Sequence, residues 1–138
     1  MVYVLLAEGT GMLKIGHTIG KPHANGDTGR NRFQDIRTGC PVPLSCIAAI
    51  PGGSKVEADI HQRFDVYRKG GAEWFKNNGP VATWVQSIEG KHPALVHATN
   101  RLLSSNGRTR ELILDLERQI AIAWGDTPPH SPQGELFT

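Results

Sequence analysis

Lys14 and His17 flank a bare glycine, Gly16, in the stretch "GTGMLKIGHT" (residues 9–18). The stretch follows the apolar opening "VYVLLA" and reads as a strand. Glycine weakens a strand interior, so its presence there marks a bulge or a group that approaches the backbone closely. Facing residues of an antiparallel pair project to the same side. With "EGTG" as a four-residue loop, Ala7 faces Met12, Leu5 faces Lys14 and Tyr3 faces Gly16. Tyr3 and Lys14 then lie diagonally on one face, with space over Gly16 beside them. A phenol titrates near ~10 and is a poor base, but a neighbouring ammonium favours the phenolate, the form able to accept a proton. A slip of one residue would separate the pair.

A carboxylate of interest is Glu57, in "KVEADIHQRF". There Val56, Ile60 and Phe64 recur every four residues and predict an amphipathic helix. Ser54 and Glu57 also spell S-x-x-E, a capping box in which Glu57 only ties the helix start. On spacing alone the cap is the reading. His61 follows Glu57 by one helical turn, on the same side. Two basic groupings, Arg30–Arg32–Arg37 and Lys55–Arg63–Arg68–Lys69, could form a phosphate-facing stripe or plain solvated surface.

These residues need a scaffold. Residues 2–7 and 12–17 predict a hairpin, and "KPHANGDTG" (21–29) a loop. "RNRFQDIRTG" carries Phe33 and Ile36 at helical spacing and ends at Gly39. "LSCIAAI" (44–50) is a third strand, the Glu57 helix follows, "EWF" is a short strand-like connector, and 80–89 is helical. The predicted class is α+β: a three-stranded antiparallel sheet flanked by helices, occupying residues 1–89. Residues 93–103 and 109–124 predict a helical hairpin, patterned by Leu112, Leu116, Ile120 and Trp124, as an appendage over 90–124. Residues 125–138, with three prolines, predict a flexible tail.

The totals narrow the class. At 138 residues, 38% apolar and 20% charged, the chain suits one ordinary globular domain. A net charge of +2 alone does not indicate a nucleic-acid partner. The two cysteines, Cys40 and Cys46, match no zinc spacing and are too few for a disulfide framework. No basic lead precedes the apolar start and no run reaches membrane-spanning length, so the expected compartment is the cytoplasm. Phosphate-loop, nucleophile-elbow and C-x-x-C motifs are missing from the sequence.

Five pieces in order resemble the GIY-YIG nuclease superfamily. "MVY" stands where GIY would and "KIG" (14–16) where YIG would. "RFQDIRTGCPVPL" is similar to the arginine-led helix and turn of a phage and bacterial branch. "VEADIHQRF" and "GAEWF" are similar to that branch's glutamate–histidine helix and closing element. The resemblance covers about residues 1–88. It departs at Met1 for the first glycine, at Lys14 for the first YIG tyrosine and in a long loop before Arg32, which leaves Arg30 as a rival for the family's arginine.

The resemblance implies a DNA endonuclease that hydrolyses phosphodiesters with one divalent metal, Mg²⁺ or Mn²⁺. Glu57 would be the metal ligand. Tyr3 would be the general base or would position the attacking water. Lys14 would lower the Tyr3 pKa or contact the scissile phosphate, and Arg32 would neutralise charge in the transition state. His17 would lie near the reacting oxygens, provided that a break at Gly16 turns it inward, since plain alternation puts it opposite Tyr3. Gly16, Arg30, Arg37 and His61 are the expected substrate contacts, with His61 serving by packing or by orienting the carboxylate. Glu73 and Trp74 are expected to be structural.

"QGELF" (133–137) resembles the Gln-x-x-Leu-Phe peptide that docks bacterial proteins on the β sliding clamp. Gln133 would fix register while Leu136 and Phe137 fill a groove, with affinity on the order of micromolar after ordering costs. An ordinary disordered end is the alternative. A non-catalytic nucleic-acid-binding module, or a protein that only hooks the clamp, are the competing functions.

Overall fold

The computed structural model describes residues 1–18, 33, 36–37, 39–69, 73–104 and 109–123. Arg30, Arg32, Trp124 and the clamp-like Gln133, Leu136 and Phe137 lie outside the described residues.

β1 (Val2–Ala7) and β2 (Met12–His17) form the expected hairpin. Its loop turns on two left-handed glycines, Gly9 (φ 77°) and Gly11 (φ 69°), a region that glycine enters without a Cβ penalty. The Thr10 hydroxyl donates to the Ala7 carbonyl at 2.7 Å and accepts from the Met12 N–H at 3.0 Å. The register that results pairs Ala7 with Met12, Leu5 with Lys14 and Tyr3 with Gly16.

β3 (Leu44–Ile50) pairs antiparallel with the other side of β1. Among the described residues the sheet has four strands, not the expected three, in the order β3-β1-β2-β4. β4 (Trp74–Lys76) comes from "EWF" and runs antiparallel along β2. Three residues are too few to display alternation, but the fully buried Phe75 anchors them beside Leu13.

Val2, Tyr3, Val4 and Leu5 are all fully buried, so both faces of β1 need cover. An unbroken apolar run such as "VYVLL" is the signature of a strand buried on both faces. One face packs Val2, Val4, Leu13 and Ile15 against α1 (Ser54–Arg63) and α2 (Gly79–Ile88), chiefly through Ile60, Phe64, Val81 and Val85. The other packs Tyr3, Leu5 and Cys46 against α3 (Pro93–Leu103) and α4 (Thr109–Ala123), through Leu95, Leu102, Leu116 and Ile120. α3 and α4, the residues read as an appendage, form a helical layer on this face of the sheet. Phe33, Ile36 and Arg37 have helical backbone, with Phe33 and Ile36 joining the α3–α4 side of the core. Among the described residues no helix is long and apolar enough to cross a membrane.

The edge strand β3 carries a bulge. Val4 faces Ala48 while Leu5 faces Cys46, leaving Ile47 over. Asn100 of α3 clamps this point: its Oδ1 accepts from the Cys46 N–H at 2.7 Å and its Nδ2 donates to the Cys46 carbonyl at 3.0 Å. Asn100→Ala strips both bonds from a partly buried edge and should destabilise the fold by about 1–3 kcal/mol in chemical denaturation.

Cys46 is buried, and burial pushes its thiol from the ordinary 9.0 up to about 12. Cys40 is half-buried. At pH 8 a thiol reagent should label native Cys40 and spare Cys46 until the protein unfolds, a difference that peptide mapping reads directly. The raised value also gives a sign. Stability from the buried thiol is complete below pH 9 and is lost as the pH climbs towards 12.

Candidate active site at the end of the central hairpin

Gly16 is a glycine because its space is taken. A Cβ there would stand 2.5 Å from the Tyr3 hydroxyl oxygen, 2.7 Å from Tyr3 Cζ and 3.0 Å from Glu73 Oε1. The Tyr3 ring is fully buried and meets Phe33 edge-on, with centroids 4.9 Å apart at 62°. The group that approaches the backbone at Gly16 is thus the phenol of its cross-strand partner.

Lys14 lies on the same face, diagonal to Tyr3. Its Nζ is 3.4 Å from Glu73 Oε1 and 5.3 Å from the centroid of the Trp74 ring. Both partners are partly exposed, at 15% and 26%, so the pair is held by geometry more than by energy. Glu73 enters the cluster because its carbonyl accepts from the Ile15 N–H at 3.0 Å, which sets the chain beside β2. Its carboxylate was not expected here. The signal that could have found it is the pairing of "EWF" with "KIG", which puts Trp74 opposite Lys14.

Glu57 does not cap its helix. The N-cap of α1 is Gly53, with no side-chain cap bond, and Ser54 is already the first helical residue. The Glu57 N–H donates to the Gly53 carbonyl at 3.0 Å, so Glu57 stands one position past the one a capping box uses. Its carboxylate reaches β2 instead, with Oε2 3.0 Å from His17 Nδ1. Both atoms are shut off from solvent, and among the described residues neither has a hydrogen-bond partner beyond this contact.

His17 itself differs from expectation. β2 runs unbroken through Gly16, and His17 pairs with Val2, so it stays on the face opposite Tyr3. Strand alternation wins because Thr18 continues the pairing, its N–H donating to the Met1 carbonyl at 2.9 Å. Tyr3 with Lys14 and Glu73, and Glu57 with His17, therefore meet the end of β2 from its two faces at consecutive positions, 16 and 17.

His61 sits beside the second group. Its Nε2 is 2.7 Å from the Ile15 carbonyl oxygen, which requires the Nε2–H tautomer, and its ring lies 5.1 Å from that of Phe75. That bond pins α1 to β2 and so positions Glu57 one turn earlier. Arg37 is found elsewhere: its Nη1 donates to the Leu103 carbonyl at 2.9 Å, at the C-terminal end of α3, where cations are favoured. The family-like arginine, Arg32, and its rival Arg30 fall outside the described residues.

Among the described residues no group of three His, Cys, Asp or Glu side chains could enclose a metal ion. Glu57 and His17 still offer two buried donor atoms that lack hydrogen-bond partners. One hard carboxylate oxygen, completed by waters and a substrate phosphate, is a donor set that Mg²⁺ accepts, and Mn²⁺ also suits carboxylate and water.

Comparison with protein-family models, with curated proteins and with solved structures yields no match.

Proposed function

We propose that this chain is a metal-dependent DNA endonuclease of GIY-YIG type, with its site at the end of the β1–β2 hairpin. The observation that carries the reading is Glu57: its carboxylate is not spent on the helix start and meets His17 Nδ1 at 3.0 Å, and among the described residues neither of these buried atoms has another hydrogen-bond partner. A divalent ion there would polarise the phosphoryl oxygens. Glu57 would hold it, with His17 at its side and His61 fixing the helix. The Tyr3 hydroxyl, buried over Gly16 on the face of β2 opposite Glu57, would act as base on a water admitted past the end of the strand. Water adds to phosphorus, a P–O bond breaks, and a phosphate monoester and an alcohol remain. Lys14, steadied by Glu73, would counter charge on the phosphate, as would Arg32. The tail would recruit the enzyme to the β clamp through Gln133, Leu136 and Phe137.

A second reading has its own support. Tyr3 is fully buried and Lys14 is already paired with Glu73, an arrangement that also suits a binding module with no turnover. Purified protein with Mg²⁺ or Mn²⁺, offered single-stranded, duplex and branched DNA, separates the two. The nuclease cuts at least one substrate, and Tyr3→Phe slows it. A binding module holds DNA in chelator, releases it with salt and cuts nothing.

A further inference from the structure

α1 and α2 leave a groove of about 430 Å³, within the range in which proteins hold one small ligand (roughly 300–1,000 Å³). Phe64 is buried at its base, and the Phe64 and Trp84 rings lie 5.6 Å apart at 51°. Tyr67 and Trp84 are half-buried and line the groove with ring surface. The guanidinium of Arg63 lies over the Phe64 ring, 5.2 Å from its centroid. Among the described residues, Arg63 is the one charged side chain lining the groove. Two hydroxyls complete it. Thr83 Oγ1 donates to the Gly79 carbonyl at 3.2 Å and Ser87 Oγ to the Trp84 carbonyl at 2.5 Å, so both keep acceptor lone pairs.

Aromatic faces, a cation and hydrogen-bond acceptors together suit a planar ring that carries N–H donors and an attached anion. A nucleobase with its phosphate has that chemistry. Bases inside a duplex have no face to offer, so only an unpaired base can use the rings. Phe64, the C-cap of α1, follows Glu57 by seven residues, roughly 10 Å at 1.5 Å per residue, or about three nucleotides of stacked strand. A proline-rich peptide also fits aromatic grooves, but it has no anion to meet Arg63.

We propose that the Phe64–Tyr67–Trp84 groove stacks one unpaired base of a nucleic-acid strand lying along α1, with Arg63 on its phosphate. This rests on the nucleic-acid reading above and adds to it a preference for unpaired strand. The test is fluorescence anisotropy of the full chain in chelator, where no cutting occurs, with a labelled single strand, its duplex, and the single strand carrying an abasic site. Trp84→Leu should weaken single-strand binding by ~5- to 100-fold, the range for loss of one base–aromatic stack. Duplex binding should change by less than about twofold, and Trp84→Phe should restore most of the loss. The abasic strand should bind wild type as weakly as the intact strand binds Trp84→Leu, with little added loss when both changes are combined. Arg63→Gln, at an exposed position that leaves the core intact, should reduce the salt slope by about one.

A folded Trp84→Leu that holds single strand like wild type would overturn the proposal. So would unchanged salt dependence in Arg63→Gln, or a wild-type chain that ignores single strand yet binds a peptide of residues 125–132. Binding that depends on Trp84 without cleavage of any DNA would leave this inference standing and remove the hydrolase. Cleavage that needs Glu57 but not Trp84 would do the reverse.

Discussion

Glu57→Gln is expected to slow DNA cleavage by roughly a thousand-fold or more while leaving the fold intact. Loss of a single preorganised electrostatic stabiliser commonly costs 10²–10³ in rate, and in the proposed nuclease a carboxylate that holds the metal should lie at or above the top of that range. The fold should tolerate the change because the carboxylate makes no cap bond, and glutamine has nearly the same shape and keeps a polar atom facing His17 Nδ1. The helix start is held by Gly53, whose carbonyl accepts the backbone N–H of residue 57 whatever its side chain. Cleavage of labelled DNA in Mn²⁺, read beside a thermal melt of the same preparation, checks both halves. An equally active variant would move the metal elsewhere, and an unfolded one would return Glu57 to a structural role.

Gly16→Ala should have the second large effect, this time on stability. Gly16 has no left-handed φ, so alanine would ordinarily gain about 0.4–1 kcal/mol by restricting the unfolded chain. Here the new methyl would fall 2.5 Å from the Tyr3 hydroxyl oxygen and 2.7 Å from Cζ. Tyr3 cannot withdraw easily, because its ring is fully buried against Phe33. Overpacking of this kind costs about 1–3 kcal/mol, enough to reverse the sign. Adding Tyr3→Phe removes the nearer clash and keeps the farther one, so the double variant should recover part of the loss and no more. Denaturant midpoints of the four proteins in that cycle measure the coupling.

The hairpin was legible because three signals agreed. A short glycine-flanked loop, two apolar strands and a glycine opposite a tyrosine left one register in which "VYVLLA" and "MLKIGH" pair. The "LSCIAAI" strand and the helices over α1 to α4 were legible for a similar reason, since long periodic patterns identify their elements well. The layering was less so. The meaning of "VYVLL" as a strand buried on both faces was available, yet a helical hairpin at residues 93–123 looks the same whether it stands apart or covers a sheet.

The candidate site divided along the same line. Tyr3 over Gly16 followed from register, which is local. The role of Glu57 did not, because S-x-x-E describes a cap only when serine is the N-cap, and Gly53 holds that position. Glu73 depended on β4 joining β2, a contact between segments 60 residues apart that a three-residue strand cannot announce. His17 was expected to need a kink, but regular alternation brought it to Glu57.

In the proposed nuclease the Glu57 carboxylate holds the divalent ion. Electron paramagnetic resonance of Mn²⁺ titrated into the folded wild type and Glu57→Gln tests it most directly, since free and bound Mn²⁺ give distinct signals without any turnover. A loss of affinity of at least about tenfold in the variant is the expected result, given that even outer-shell partners of a metal ligand contribute 10–100-fold. Identical titrations of the two proteins would place the ion away from Glu57.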